Sequence, residues 1–376
     1  MQFTTQRLER VYRSMRREQI DALVVTRRQD VQYLTGHLGA SHDVPIGCVI
    51  AEESQPQLIV SNAQEASLAN GAILSKVRSF ELPPSFEDQF RPYSKVYWEE
   101  IAESLHELNK SKGMIGLALD WLSVRDYETI KSLLPEAGFR DFSQALWRLR
   151  YIKDAAEIDA ICQAVNVAEI GVRTALEIVA SGKSEDEASL EIEATMRGAG
   201  GQQRGIRAAV LSADHARFPF AQPGSAKIQN TDFVVLDITV SHSGYFAEVA
   251  RTIHLGTPTD GQRKLFDYLL NIMKTAEKDM APDRSINDLA MHILKRAGKG
   301  YPQNTLIQPV GSSIGLDLRE PPFITEGSQY SLKEGMVFTL HPTGYVPDIG
   351  CVKIADVYLV KSDKVENLGA LARETL

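Results

Sequence analysis

Two carboxylates on either side of a predicted turn are the first residues in this sequence that could do chemistry. Asp237 follows the apolar run 233–236, and Glu248 lies in the extended pattern of 245–253, beyond a Ser-Gly turn. This order predicts a β-hairpin. Paired strands can bring both side chains to one face, where two close carboxylates either bind a cation or raise the pKa of one of them. An ordinary solvated hairpin with surface acids is the alternative interpretation of the same pattern.

Length and composition limit the classes of protein to which the chain can belong. With 376 residues, 43% hydrophobic and 24% charged, the chain has the composition of a soluble globular protein with two domains. A formal charge of -8 argues against nucleic acid or an anionic membrane as a partner. The three cysteines are far apart, which argues against a disulfide framework. Because we find no signal core and no membrane-spanning run, we expect a cytoplasmic protein.

The elements that must position the two carboxylates fall into two patterns. Up to residue 148, short apolar strands alternate with helices, as in the strand at 20–25 and the helices at 97–109 and 124–134, so this part is predicted to be an α/β domain. From residue 149 onward the pattern changes, with long amphipathic helices at 154–179 and 184–197 followed by two strand-rich stretches. That order predicts an α+β domain with an antiparallel sheet and helices on one side.

Four segments of the second domain occur in an order and spacing that match one known family. They are the hairpin 237–252 (Asp-x-Gly-x5-Tyr-x-x-Asp-x-x-Arg-Thr), 311–315 (Gly-His-Gly-Ile-Gly), 335–342 (Gly-Met-Val-Phe-Thr-x-Glu-Pro) and 352–356 (Val-Arg-Ile-Glu-Asp), each given with the family pattern that it resembles. In these segments the chain resembles the pita-bread fold family of aminopeptidase P, prolidase and creatinase.

The resemblance extends to the first domain, where Tyr-Leu-Thr-Gly at 33–36 looks like the creatinase-type N-terminal domain. It implies an α/β N-terminal domain of this type over 1–148 and an α+β pita-bread (creatinase/aminopeptidase-like) C-terminal domain over 149–376. Members of the family are commonly homodimers, so the resemblance also implies a second copy of the chain as a partner.

The metal-binding positions of the family are mostly changed in this chain. The resemblance places five ligands of two metal ions at Asp237, Glu248, Ser312, His341 and Ala355. Only Asp237 is unchanged, and the two remaining carboxylates provide too little negative charge for two divalent cations. We therefore expect no metal cofactor, with one divalent ion held by Asp237, Glu248 and His341 as the alternative.

The same positions could support catalysis without a metal, because in the relatives they point into one pocket. Asp237 and Glu248 would orient His341 or raise its pKa, so that His341 would act as a general acid–base near neutral pH. Ser312 would lie within possible reach of His341, which gives a Ser-His-carboxylate arrangement.

Three further residues are candidates for binding the substrate. Arg319 would bind a substrate carboxylate through two hydrogen bonds, unless it forms an ion pair with an acid of the chain. Phe220 stands where creatinase has its catalytic histidine, so the creatinase mechanism does not transfer. Tyr245 belongs to the hairpin motif and is a candidate for packing or for substrate contact.

Three functional hypotheses follow from these residues. The favoured one is a metal-independent hydrolase or lyase that acts on a C–N or neighbouring bond of a small amino-acid-like molecule. The second is a catalytically inactive binding protein that uses the peptidase pocket to hold a peptide or protein. The third is an Xaa-Pro peptidase-like enzyme with a single metal at Asp237, Glu248 and His341, whose substrate is a short peptide.

Overall fold

The computed structural model of the protein describes residues 5–37, 44–52, 54–68, 76–82, 93–202, 205–218, 221–298, 300–302 and 305–375. The chain divides into two units, Met1–Arg150 and Tyr151–Leu376, whereas the sequence places the domain boundary after residue 148. None of the helices within the described ranges is long and apolar enough to cross a membrane.

The first unit is built on a mixed sheet, which has six strands within the described residues. In chain order the strands are β1 (Ala22–Val25), β2 (Gly47–Ala51), β3 (Gln57–Ser61), β4 (Lys76–Phe80), β5 (Met114–Leu117) and β6 (Gly138–Asp141). Their order in the sheet is β4-β3-β2-β1-β5-β6, and β1–β5, β3–β4 and β5–β6 are parallel pairs. Strands β1 to β3 are buried throughout, as expected of strands with both faces covered.

The helices of the first unit complete the alternating pattern. They are α1 (Thr5–Arg17), α2 (Arg28–Thr35), α3 (Asn62–Leu68), α4 (Ser94–Glu107), α5 (Val124–Leu133) and α6 (Ser143–Tyr151). Trp98 and Ile101 of α4 are buried in one cluster with Val24 and Ile115 of the sheet. The prediction of an α/β domain is therefore confirmed.

The second unit begins with long helices whose starts are encoded by capping residues. The helices are α7 (Ala155–Ile178), α8 (Glu185–Gly198), α9 (Asp260–Asp279) and α10 (Ile286–Ala297). Ser184 accepts a hydrogen bond from the Glu187 backbone N–H, and the Glu187 side chain accepts one from the Ser184 backbone. This is the capping box that the sequence predicts.

The strands of the second unit form three antiparallel sheets within the described residues. The first sheet is β7 (Arg207–Ser212), β8 (Phe233–His242) and β9 (Tyr245–His254), and the second, in spatial order, is β10 (Leu306–Ile307), β14 (Thr343–Val346) and β15 (Gly350–Lys353). The third, in spatial order, is β12 (Glu320–Phe323), β11 (Gly311–Ser313), β13 (Val337–Leu340), β16 (Asp356–Val360) and β17 (Val365–Asn367).

The sequence predicts one antiparallel sheet, and this prediction is wrong in its sheet count. The chain leaves the third sheet after β13 at Pro342, which has no N–H to continue a ladder, and enters the second sheet with β14. It returns between β15 and β16, where Ala355 and Ala250 of β9 exchange backbone hydrogen bonds. His341 and Ala355 lie at these two crossings, so the crossings bring residues of all three sheets to the site.

Candidate functional site

The β8–β9 hairpin places the two predicted carboxylates on one face. Thr239 lies opposite Glu248 in the ladder, and Asp237 lies opposite Ala250. Because side chains alternate along a strand, the side chains of Asp237, Thr239 and Glu248 project from the same face. Asp237 is 4% exposed and Glu248 is 1% exposed. The hairpin prediction is confirmed, and the two acids are buried rather than surface groups.

A buried lysine bridges the two carboxylates. Lys353 Nζ lies 2.8 Å from Asp237 Oδ2 and 2.8 Å from Glu248 Oε1, and the residue is 8% exposed. The Thr252 hydroxyl accepts from the Lys353 N–H and donates to the Lys353 carbonyl, at 2.9 Å in both cases. Lysine is almost never fully buried unless it is paired, so the ammonium and the two carboxylates form one ionic unit.

Two arginines complete the ionic contacts of the pocket. Arg207 Nη1 lies 3.0 Å from Asp237 Oδ2, and Arg319 Nη2 lies 2.7 Å from Glu248. Their side chains are 28% and 31% exposed, so each arginine side chain is partly accessible. We call Arg207, Asp237, Glu248, Arg319 and Lys353 the pocket cluster.

Electrostatics keeps Glu248 and Lys353 charged. Burial opposes the charged form of Glu248, but the nearby Lys353 and Arg319 charges outweigh burial and hold the Glu248 pKa well below its usual range. Burial likewise favours the neutral amine of Lys353, and the Asp237 and Glu248 carboxylates outweigh it and raise the Lys353 pKa. Opposite charges at these distances favour the ionised form of both partners.

His341 is neutral in this environment. Burial, together with the positive charge of Arg319, lowers the His341 pKa to about 3, although Glu248 acts in the opposite direction. The expectation that the carboxylates raise the His341 pKa and make it a general acid–base near neutral pH is therefore wrong, because burial and the arginine outweigh them. With three cations, two carboxylates and a neutral imidazole, the pocket carries one net positive charge.

Several buried polar atoms beside the pocket cluster have no hydrogen-bond partner within the described part of the chain. Ser312 lies opposite Thr339 in the β11–β13 ladder, so their side chains project from one face. The atoms without a hydrogen bond are Asp237 Oδ1, Thr239 Oγ1, Glu248 Oε2, Ser312 Oγ, Thr339 Oγ1 and His341 Nε2, and of these Glu248 Oε2 has an ion pair with Arg319. A buried polar group without a partner costs about 1–3 kcal/mol. Such a group of atoms is typical of a site that binds a polar ligand.

The predicted Ser-His arrangement is not formed by these side chains. Ser312 Oγ and His341 Nε2 both lack a hydrogen-bond partner among the described residues, so the serine does not donate to that nitrogen. The structure brings the two residues to neighbouring positions, because the His341 N–H donates to the Val310 carbonyl and Ser312 pairs with Thr339. The structure therefore contains no hydrogen bond between these two atoms, and the catalytic roles of Ser312 and His341 stay predictions.

The three predicted substrate-binding residues have different outcomes. Arg319 pairs with Glu248, which is the acid-paired alternative that the sequence leaves open. The Tyr245 hydroxyl donates to Glu157 Oε1 at 2.9 Å, and a substrate contact by Tyr245 stays a prediction. Phe220 lies outside the described residues.

Sequence reasoning missed Lys353, Arg207, Thr239 and Thr339 as site residues. A signal for Lys353 was present, since it is the only charged residue in Gly350–Ala355, a run that otherwise has the composition of a buried strand. A lysine in such a run needs an acidic partner. The sequence carries no comparable signal for Arg207 or the two threonines, whose places depend on the strand register.

Comparisons with known proteins agree with this fold. A model of metallopeptidase family M24 matches residues 159–362, and a model of the creatinase/prolidase N-terminal domain matches residues 7–152. The chain is similar to an Xaa-Pro dipeptidase of Pyrococcus furiosus, with 25% identity over 99% of both chains.

Solved structures give the same result for the fold. The prolidase of Pyrococcus horikoshii OT3 superposes with a TM-score of 0.85 and 22% identity, covering 99% of this chain and 100% of the prolidase. An Xaa-Pro dipeptidase from Bacillus anthracis superposes with a TM-score of 0.86 and 22% identity, covering 99% of each chain. The predicted creatinase-type N-terminal domain and pita-bread C-terminal domain are confirmed.

Proposed function

The chain belongs to metallopeptidase family M24, and from this premise we propose that it is an Xaa-Pro peptidase-like enzyme that acts on short peptides. The observation that carries the proposal is the similarity to an Xaa-Pro dipeptidase along 99% of both chains. We place the substrate in the pocket around Asp237 and Glu248, beside the unpartnered polar atoms.

The expectation of a metal-independent hydrolase or lyase for a small amino-acid-like molecule is wrong. The family match is to metallopeptidases, and two relatives that match along 99–100% of this chain are named Xaa-Pro dipeptidases. Among the three hypotheses that the sequence allows, the Xaa-Pro peptidase-like enzyme agrees best with these matches.

The residues of the pocket, as they are arranged, do not fit the divalent metal that the family description implies. Lys353 forms ion pairs with one oxygen of Asp237 and one of Glu248. Arg319 forms a further ion pair with Glu248. Within the described residues, no group of three or more histidine, cysteine or acidic side chains is arranged to bind a metal ion. We therefore derive no catalytic step through a metal and restrict the proposal to how the pocket recognises a peptide.

The charge of the pocket favours a peptide with a free carboxylate. The net positive charge attracts an anion, and the accessible parts of Arg207 and Arg319 can donate to a carboxylate. The hydroxyls of Ser312 and Thr339 can each donate or accept a hydrogen bond with a peptide unit. Nε2 of neutral His341 can either donate or accept one, according to the tautomer of the ring. A dipeptide with a C-terminal carboxylate meets both requirements.

A panel of Xaa-Pro dipeptides with free or amidated C-termini tests this proposal, with proline release measured both with and without added Mn²⁺. We expect the free acids to be preferred and expect Arg319→Gln to raise KM about 10-fold or more, because a charge-assisted hydrogen bond contributes roughly 1.5–3 kcal/mol. Arg173→Gln is the matched control, because Arg173 is an exposed arginine paired with Glu169. Absence of both cleavage and binding across the panel would contradict the proposal.

Peptide binding without hydrolysis is a second candidate function. The specific observation in its favour is that Lys353 and Arg319 both form ion pairs with the Glu248 carboxylate. If calorimetry shows that a dipeptide binds and no proline is released, this function is identified. A cytoplasmic homodimer also stays a proposal, and light scattering of the purified chain tests its oligomeric part.

A further inference from the structure

The pocket cluster contains its own cation at the point where two acidic side chains converge. We propose that Lys353 is an internal counter-ion that takes the place of a divalent metal at Asp237 and Glu248, so that a metal ion binds there only if Lys353 is removed. This inference concerns the ionic contacts of the pocket and does not rest on the proposed substrate.

The contact distances show that an ammonium and a metal ion would compete for the same oxygens. Lys353 Nζ lies 2.8 Å from one oxygen of each carboxylate, which is the length of a charge-assisted hydrogen bond. A divalent metal would use the same lone pairs at a shorter distance of roughly 2.0–2.2 Å. Both cations cannot occupy that position together.

The backbone of Lys353 is fixed, which holds the ammonium in place. Thr252 bonds both the N–H and the carbonyl of Lys353, and Lys353 is paired with Thr343 in the β14–β15 ladder. The residue is buried, so swinging the side chain away would require the ammonium to leave two carboxylates. Breaking buried ion pairs of this kind is strongly unfavourable.

The surroundings of Lys353 add to the discrimination against a divalent ion. Arg207 contacts the same Asp237 oxygen as Lys353, and Arg319 contacts Glu248. The positive charges of both arginines repel a further cation. Ser312 and Ala355, which stand at two of the five ligand positions implied by the resemblance, supply neither a carboxylate nor an imidazole.

A second buried lysine provides a matched control. Lys153 Nζ lies 3.2 Å from Glu320 Oε2 and donates to Ser313 Oγ at 2.9 Å, and both charged side chains are 1% exposed. Lys153 thus resembles Lys353 in burial and in having an acidic partner. It differs because its ion pair with Glu320 involves one carboxylate, and one carboxylate is too few for a metal site.

Calorimetric titration with Mn²⁺ alone tests the inference on four proteins: the unaltered chain, Lys353→Met, Lys153→Met and the double variant Lys353→Met with Asp237→Asn. We expect Lys353→Met to bind one Mn²⁺ per chain at least about 10-fold more tightly than the unaltered chain. Lys153→Met should behave as the unaltered chain does, and the double variant should lose the gained binding.

Two results would overturn the inference. In the first, the unaltered chain binds one Mn²⁺ as tightly as Lys353→Met does, and the Asp237→Asn substitution in the unaltered chain abolishes that binding. The other is that folded Lys353→Met gains no binding. If Lys353→Met does not fold, the metal content of the unaltered chain and of Asp237→Asn after dialysis against Mn²⁺ decides the question: equal, near-zero content supports the inference, and one ion lost with Asp237 contradicts it. These measurements use no peptide, so their outcome does not depend on whether the proposed peptidase function is correct.

Discussion

Two buried ionic clusters of the second unit use the same kinds of side chain in different ways. The pocket cluster is held by Asp237 and Glu248, whereas what we call the anchor cluster consists of Arg251, Asp356 and Arg373. Glu248 and Arg251 are three residues apart on β9, so they project from opposite faces of the strand. The same hairpin therefore supplies a site on one face and a structural contact on the other.

The two clusters differ in whether their polar atoms are satisfied. Arg251 donates to the carbonyls of Ala250, Ala355, Leu371 and Ala372 and to Asp356 Oδ1. Arg373 donates to Asp356 Oδ2, to Glu277 and to the Tyr358 hydroxyl. No polar atom of the anchor cluster is among the buried atoms without a hydrogen bond in the described residues, whereas six such atoms lie in and beside the pocket cluster. A satisfied cluster stabilises the fold, and an unsatisfied one is suited to binding.

The largest effect on stability is expected from breaking the anchor cluster. Arg251→Met removes one partner of a buried ion pair and several hydrogen bonds to carbonyls, so the free energy of unfolding should fall by about 3–5 kcal/mol. Urea denaturation measures this change. Peptide and metal binding per folded molecule should remain those of the unaltered chain.

Lys361→Met is the control for the loss of an ion pair as such. Lys361 pairs with Glu366 on the surface, where both side chains are about 40% exposed, and exposed pairs contribute little. A loss of stability as large as that of Arg251→Met would contradict the structural role given to the anchor cluster.

A smaller effect is expected when the cation of the pocket cluster is removed. Lys353→Met leaves Asp237 and Glu248 with their arginine partners, so we expect a loss of about 1–3 kcal/mol. Added Mn²⁺ should return part of this stability, because a ligand that binds only the folded state stabilises it. A thermal unfolding series with and without Mn²⁺ measures both changes. If Mn²⁺ restored the stability of Arg251→Met to the same extent, the two clusters would not differ in the way described here.

The smallest effect is expected at Ser312, which is adjacent to Ser313 and, like it, fully buried. Ser313 Oγ accepts from Lys153 and donates to the Val337 carbonyl, whereas Ser312 Oγ has no partner among the described residues. Ser313→Ala should cost about 1–3 kcal/mol, and Ser312→Ala should be neutral or slightly stabilising while it weakens peptide binding. Equal losses of stability for the two variants, measured by urea denaturation, would show that Ser312 is as structural as its neighbour.

The sequence predicts the fold well because its signals are local. The capping residues at Ser184 and Glu187 and the alternation along the hairpin specify α8, β8 and β9 without any long-range information. The three-sheet arrangement was not predictable in this way, because it depends on where the chain crosses from β13 to β14 and from β15 to β16.

The chemistry of the site was predicted only in part. Asp237 and Glu248 were found because they share a hairpin, and His341 and Ser312 were found through the family resemblance. The pKa values of Glu248 and His341 depend on burial and on Arg319 and Lys353, which come from other segments, so the direction of the His341 pKa shift predicted from the sequence is wrong. Contacts between distant segments determine that direction.

The most direct test of Lys353 as the internal cation is a crystal structure of the chain with Mn²⁺ and an Xaa-Pro dipeptide, with anomalous scattering used to locate manganese. We predict no anomalous peak between Asp237 and Glu248, Lys353 Nζ within hydrogen-bonding distance of both carboxylates, and the dipeptide beside Ser312 and Thr339. A manganese peak between the two carboxylates, with the Lys353 side chain turned away from them, would contradict this account.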